Sequence, residues 1–132
     1  MISDTRDVEI AELEPRMGDI NVTFKVLEKS DVKEVTSRRD GSTHRVADAV
    51  VGDGSATVVV PLWDDSIENI EVGKTYTLTN AHTGLFRGNL RLKFGRESEL
   101  LEAEDEIEDV NVERDMSEEN HRRPRRSRGT SW

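Results

Sequence analysis

A chain of 132 residues with 28 acidic and 19 basic side chains, net charge −9 and 33% hydrophobic residues, holds one domain with a core of roughly ninety residues, and a tail. It has no cysteine, which excludes disulfides and thiolate metal sites. No apolar run approaches the ~20 residues of a bilayer span and no basic-then-apolar leader opens the chain, so a soluble, intracellular protein with no membrane partner is expected.

"INVTFKVLEKS" alternates Val22, Phe24 and Val26 against Asn21, Thr23 and Lys25, the period of a half-buried strand. Arg39-Asp40-Gly41-Ser42 signals a hairpin turn, because Asp and Gly tolerate positive φ. A second strand, "HRVADAVV", a second turn, Gly52-Asp53-Gly54-Ser55, and a third strand, "ATVVVPLW", complete a meander. In "DDSIENIEVGK" Asp65 caps a short helix with Glu68 three residues on, and Gly73 ends it. "TYTLTNA" reads as the fourth strand and "NLRLKF" as the fifth, with a loop from His82 to Gly88 between them. This order matches a five-stranded oligonucleotide-binding (OB) barrel. Another small barrel of SH3 type is the alternative, and the helix between strands three and four favours the first. The expected fold is therefore all-β: an OB-fold domain over residues 1–100 and a flexible tail over residues 101–132.

The charge is unevenly placed. Residues 1–96 hold 16 acids and 13 bases, residues 97–119 hold 12 acids and only Arg114, and residues 120–132 hold five arginines and no acid. A single-sign block of this kind tends to stay disordered, hence an acidic, then Arg-rich tail. From Val72 to Arg96 no acid occurs at all. Five lysines stand beside 14 arginines, a pattern suited to concentrated salt, where screening mutes self-repulsion. An ordinary acidic protein is the alternative.

In the third strand Val58, Val60 and Leu62 share one face, and Thr57, Val59, Pro61 and Trp63 the other. Both are apolar. The flanking turns favour the first set as core, which leaves Trp63 outside; a core tryptophan remains open. In the fifth strand Leu90, Leu92 and Phe94 are expected in the core, with Arg91 and Lys93 together in solvent. Phe86 lies in the expected loop beside Arg87 and Gly88, exposed or tucked back onto the barrel. Arg87, Arg91, Lys93 and Arg96 are candidate phosphate contacts, with Arg38, Arg39 and Arg45 weaker candidates near the first turn. Exposed aromatics beside cations on one sheet face suit a single-stranded nucleic acid, whose bases stack while the cations follow the phosphates. The three histidines, at 44, 82 and 121, have no metal-ligand spacing. No nucleophile motif or phosphate loop is present, so neither an enzyme nor a cofactor is expected.

These segments, over residues 8–100, resemble the archaeal single-domain single-stranded DNA-binding proteins, and are similar to the small OB subunit of eukaryotic sensor-of-single-stranded-DNA complexes. The most specific pieces are "LWDD", "VGK" and "FRG". The resemblance implies sequence-independent binding of single-stranded DNA in replication, recombination or repair. It matches Trp63 to a stacking tryptophan, Phe86 to a loop phenylalanine, and Arg87 to a basic residue of that loop. His82 stands where relatives carry a third aromatic, and Lys93 where some carry a tyrosine. It also implies repair or replication proteins as partners of the tail, and a cytoplasmic, nucleoid-associated location. A protein-interaction OB subunit and an RNA-binding OB protein are the alternatives.

Overall fold

A computed structural model describes residues 5–95 and 97–117. In chain order the elements are β1 (Arg6–Asp7), a 3-10 turn (Ile10–Glu12), β2 (Ile20–Lys29), β3 (Lys33–Thr36), β4 (Thr43–Gly52), β5 (Thr57–Trp63), α1 (Asp65–Asn69), β6 (Thr75–Phe86), β7 (Asn89–Lys93) and β8 (Glu99–Glu102). The five long strands are the five expected. β2, β4 and β5 form the antiparallel meander, through Val26↔Val51 and Val51↔Val58. β7 joins β5 in parallel at Val59↔Arg91, β6 pairs antiparallel with β7, and β6 returns to β2 through Phe24↔Tyr76. The sheet thus closes on itself as a five-stranded OB barrel with α1 between β5 and β6.

Alternation decides what the barrel encloses. β2 sends Ile20, Val22, Phe24 and Val26 inward, β5 sends Val58, Val60 and Leu62, and β7 sends Leu90 and Leu92, all with no exposed surface. Each such side chain contributes about 1.5–3 kcal/mol relative to exposure. Short β1 runs parallel to β2. β3 pairs with β4 alone and is exposed along its whole length, so the first turn sits at the end of a two-stranded ribbon.

Three sequence expectations are corrected. The loop expected from His82 to Gly88 is strand as far as Phe86, and the turn is only Arg87 (φ 54) and Gly88 (φ 88). Two successive positive φ values are what a type I′ hairpin needs. The N-cap position is held by Asp64, not Asp65, without a side-chain hydrogen bond to the helix, and the helix stops at Asn69 rather than at Gly73. Gly73 instead occupies a later turn at φ 95 and donates its N–H to the Val26 carbonyl at 2.8 Å.

The third correction concerns the acidic segment. Residues 101–117, expected as part of a flexible tail, lie against the barrel. β8 continues the line of β7 along β6, with Leu78 opposite Leu100. Further on, the Thr57 N–H donates to the Arg114 carbonyl and the Met116 N–H to the Thr57 carbonyl, both at 2.8 Å. Met116 enters the core and Ser117 is buried. Composition predicted disorder because like charges repel, but a few apolar and hydroxyl side chains are enough to dock residues 101–117, whose eight acidic residues are all exposed. Residues 118–132, the rest of the expected tail, lie outside the described residues.

Candidate nucleic-acid interface

Where β3, β4, β5, β6 and β7 turn their outer faces to one another, a cleft of about 510 Å³ opens. Its composition follows from strand alternation. The register Val46↔Trp63 and Asp48↔Pro61 places these four side chains on the outer face, and Lys33↔Val46 adds Lys33 and, two residues on, Val35 from the ribbon. The opposite wall is Phe86, Arg91, Lys93 and Phe94.

Trp63 and Phe86 are each 49% exposed, so both aromatics expected outside the core are there. Trp63 ends β5, and the next residue, Asp64, takes a left-handed φ of 50. The Asp64 carboxylate makes no cap to α1. It accepts the Arg45 backbone N–H and meets His44 Nδ1, both at 3.0 Å. These contacts, the backbone donor first, hold its carboxyl below the ordinary carboxylate range. They fix the chain directly after Trp63.

The basic residues divide into two groups. Lys93 faces the cleft, and its stem crosses Gly84, where an added Cβ would meet Lys93 Cε at 3.0 Å and Cδ at 3.1 Å. A side chain added at Gly84 would therefore displace that stem. Gly84→Val should drive Lys93 from the cleft and weaken binding about as much as Lys93→Ala, a result that oligonucleotide titration of the two variants would check. Arg87 is exposed on the turn with its guanidinium 5.2 Å from the Phe86 ring centre. Arg38 and Arg39 are exposed at the end of the ribbon, outside the cleft.

Arg91 and Arg45 are not free. The Arg91 side chain, only 18% exposed, donates Nη1 to Asp48 at 3.0 Å and lies 4.5 Å over the Phe86 ring. The solvent position expected for it is thus corrected: β7 sends it outward, but Asp48 and Phe86 cover it. Arg45 points away from the cleft and pairs with Glu68 of α1 at 3.1 Å, which holds its guanidinium above its ordinary value. His82 is half-buried on the outer face of β6, opposite Lys93, and does not line the cleft. Arg96 lies outside the described residues.

Phe94 was expected in the core. It follows the last residue of β7, packs only partly against the core and lines the cleft. Lys33, Val35 and Asp48 were missed. The hairpin register from the turn at Gly52 to Ser55 already pairs Asp48 with Pro61, so Asp48 could have been found by counting; Lys33 could not, because nothing in the sequence pairs the ribbon. Among the described residues no group of three or more histidine or acidic side chains is placed to hold a metal ion, and no helix is long and apolar enough to cross a membrane.

A closed five-stranded barrel whose outer face joins half-exposed aromatics to cations defines an OB-type binding domain. The family model "Single-stranded DNA binding protein Ssb-like, OB fold" matches residues 13–100, and the chain belongs to that family. It is 30% identical over 98 residues to the single-stranded DNA binding protein Ssb of Saccharolobus solfataricus, covering 74% of this chain and 65% of that protein. The chain thus spans somewhat less than two thirds of that relative's length. Among solved structures it is similar in fold to a hypothetical protein of Arabidopsis thaliana, with TM-score 0.75, 20% identity, and coverage of 91% of this chain and 88% of that one. It is also similar to DNA binding domain A of S. cerevisiae replication protein A, with TM-score 0.59, 17% identity, and coverage of 79% and 99%.

Proposed function

We propose that the protein binds single-stranded DNA without marked dependence on sequence, in replication, recombination or repair, and is not an enzyme. The observation that carries this reading is the pair of half-exposed rings, Trp63 and Phe86, on either side of a cleft edged by Lys33 and Lys93. Bases stack on such rings for about 1–3 kcal/mol each, and cations follow the backbone. The test is fluorescence titration in a Trp132→Phe background, since the chain has two tryptophans. Mixed-sequence single-stranded DNA should quench Trp63. No quenching and no binding would leave the protein-interaction barrel as the reading, and tighter binding of the RNA of equal sequence would favour the RNA-binding one.

The two groups of cations refine the electrostatics. Lys33→Ala or Lys93→Ala should each flatten the log–log salt dependence by about 0.7 for a single strand. Arg45→Ala, already neutralised by Glu68, should leave the slope unchanged. An equal effect of all three would contradict the assignment.

The scarcity of lysine and the excess of carboxylate support work in concentrated salt. At ~1 M the Debye length is about 3 Å, so distant carboxylates neither repel nor steer a strand, and affinity rests on stacking and direct contacts. Binding should persist in ~2 M KCl with a shallow slope. Loss of binding above ~0.5 M, or a fold equally stable in dilute buffer, would overturn the proposal. The proposed place of action is the cytoplasmic nucleoid. The Arg-rich end, residues 120–132, is proposed to meet repair or replication proteins, on the support of its charge.

A further inference from the structure

The cleft of a protein built to hold a polyanion contains a carboxylate. Asp48 lines it: two residues back along β4 is Val46, opposite Trp63, and across β5 is Arg91, which covers Phe86. Asp48 Oδ1 accepts Arg91 Nη1 at 3.0 Å, and the side chain is still 41% exposed. Its other oxygen, Oδ2, accepts no hydrogen bond among the described residues, and the residue lines the cleft. Arg91 is covered so well that its Nε is buried without a partner among the described residues, and Asp48 is the carboxylate paired with it there, held in place by that contact.

We propose that Asp48 is a base-selecting residue of the single-strand site, which accepts a hydrogen bond from the exocyclic amino group of a base stacked between Trp63 and Phe86. The inference rests on the single-strand reading and adds to it a preference that stacking alone does not produce. Cytosine presents its N4 amino group as a donor, and a carboxylate is its matching acceptor. Uracil has the O4 carbonyl at the same position, and its N3–H is flanked by carbonyl oxygens that a carboxylate oxygen repels. A strand rich in cytosine therefore binds more tightly than one rich in uracil, although both pyrimidines stack similarly and lack the methyl group of thymine. The selection is modest by design, because one hydrogen bond to a charged acceptor changes affinity by about tenfold.

The orientation makes the proposal sharp. In Asp48→Asn, Arg91 keeps the amide oxygen and the amide nitrogen turns to the cleft. A donor then replaces the acceptor without change of shape, and the preference moves toward uracil. In Asp48→Ala neither group is present, and the preference disappears.

The test is titration of the full chain with short oligo(dC) and oligo(dU) at pH 8, for the natural sequence and both variants, with thermal melts to show that each is folded. Preference for oligo(dC) in the natural protein, lost in Asp48→Ala and reversed in Asp48→Asn, is the expected result. Binding of both strands with one unchanged ratio in all three proteins overturns the role of Asp48 and leaves single-strand binding intact. Binding of neither strand by the natural protein overturns the single-strand reading, and this inference with it.

Discussion

Trp63→Ala and Phe86→Ala are each expected to weaken single-strand binding by about 1–3 kcal/mol and to leave the barrel folded. Both rings are half-exposed at strand ends, so truncation removes stacking surface rather than core. Phe86 has a second role, because the Arg91 guanidinium rests on it. Such a cation–π contact is worth about 0.5–2 kcal/mol, and Phe86→Ala should therefore also loosen the Asp48–Arg91 pair. Melting curves and affinities measured on the same samples separate the two effects. Unfolding in Trp63→Ala together with normal binding in Phe86→Ala would show that the rings are structural and the interface lies elsewhere.

Ending the chain after Leu101 is expected to destabilise the domain by more than about 3 kcal/mol, a large part of the ~5–15 kcal/mol of a typical domain. The reason is the junction of β5 and β7, where a single residue pair, Val59↔Arg91, closes the barrel. Ser117 reinforces it from both sides: its Oγ accepts the Val59 N–H at 2.9 Å and donates to the Leu90 carbonyl. Asn89 Nδ2 in turn donates to the Ser117 carbonyl at 2.8 Å. Truncation would take the Ser117 hydroxyl from the Val59 N–H and the Leu90 carbonyl and open the space that Met116 fills. Met116→Ala alone should cost about 2–5 kcal/mol, read from urea unfolding. A truncated chain that unfolds at the same urea concentration as the full one would contradict the docking of this segment. Binding of a short strand by a truncated chain has to be measured where that chain is still folded, since lost affinity would otherwise report lost structure.

Four of the side chains that line the cleft, Trp63, Phe86, Arg91 and Lys93, are legible in the sequence. The alternation of "TVVVPLW" puts Val58, Val60 and Leu62 opposite Trp63, and that division holds. The failures have particular causes. His82 to Phe86 carry the glycine and polar residues of a loop, yet pairing with β7 makes them strand, because a bent barrel strand tolerates Gly84 where Lys93 crosses it. Arg91 alternates into the expected solvent position, but alternation gives only the face and not what stands beside it. Asp48, forty-three residues away, takes it out of solvent. No acid occurs from Val72 to Arg96, yet β4 supplies Asp48 to the cleft from outside that segment.

Local chemistry was enough for strand period, the two turns of the meander and the helix between β5 and β6, because each depends on residues a few positions apart. Tertiary structure alone decided which cations are free and which are paired, that an acidic segment docks on the barrel, and that a carboxylate shares the cleft with Arg91. Those outcomes depend on contacts between residues far apart in the chain. Charge counted along the sequence says how much is present, but the closing of the barrel determines which charges meet.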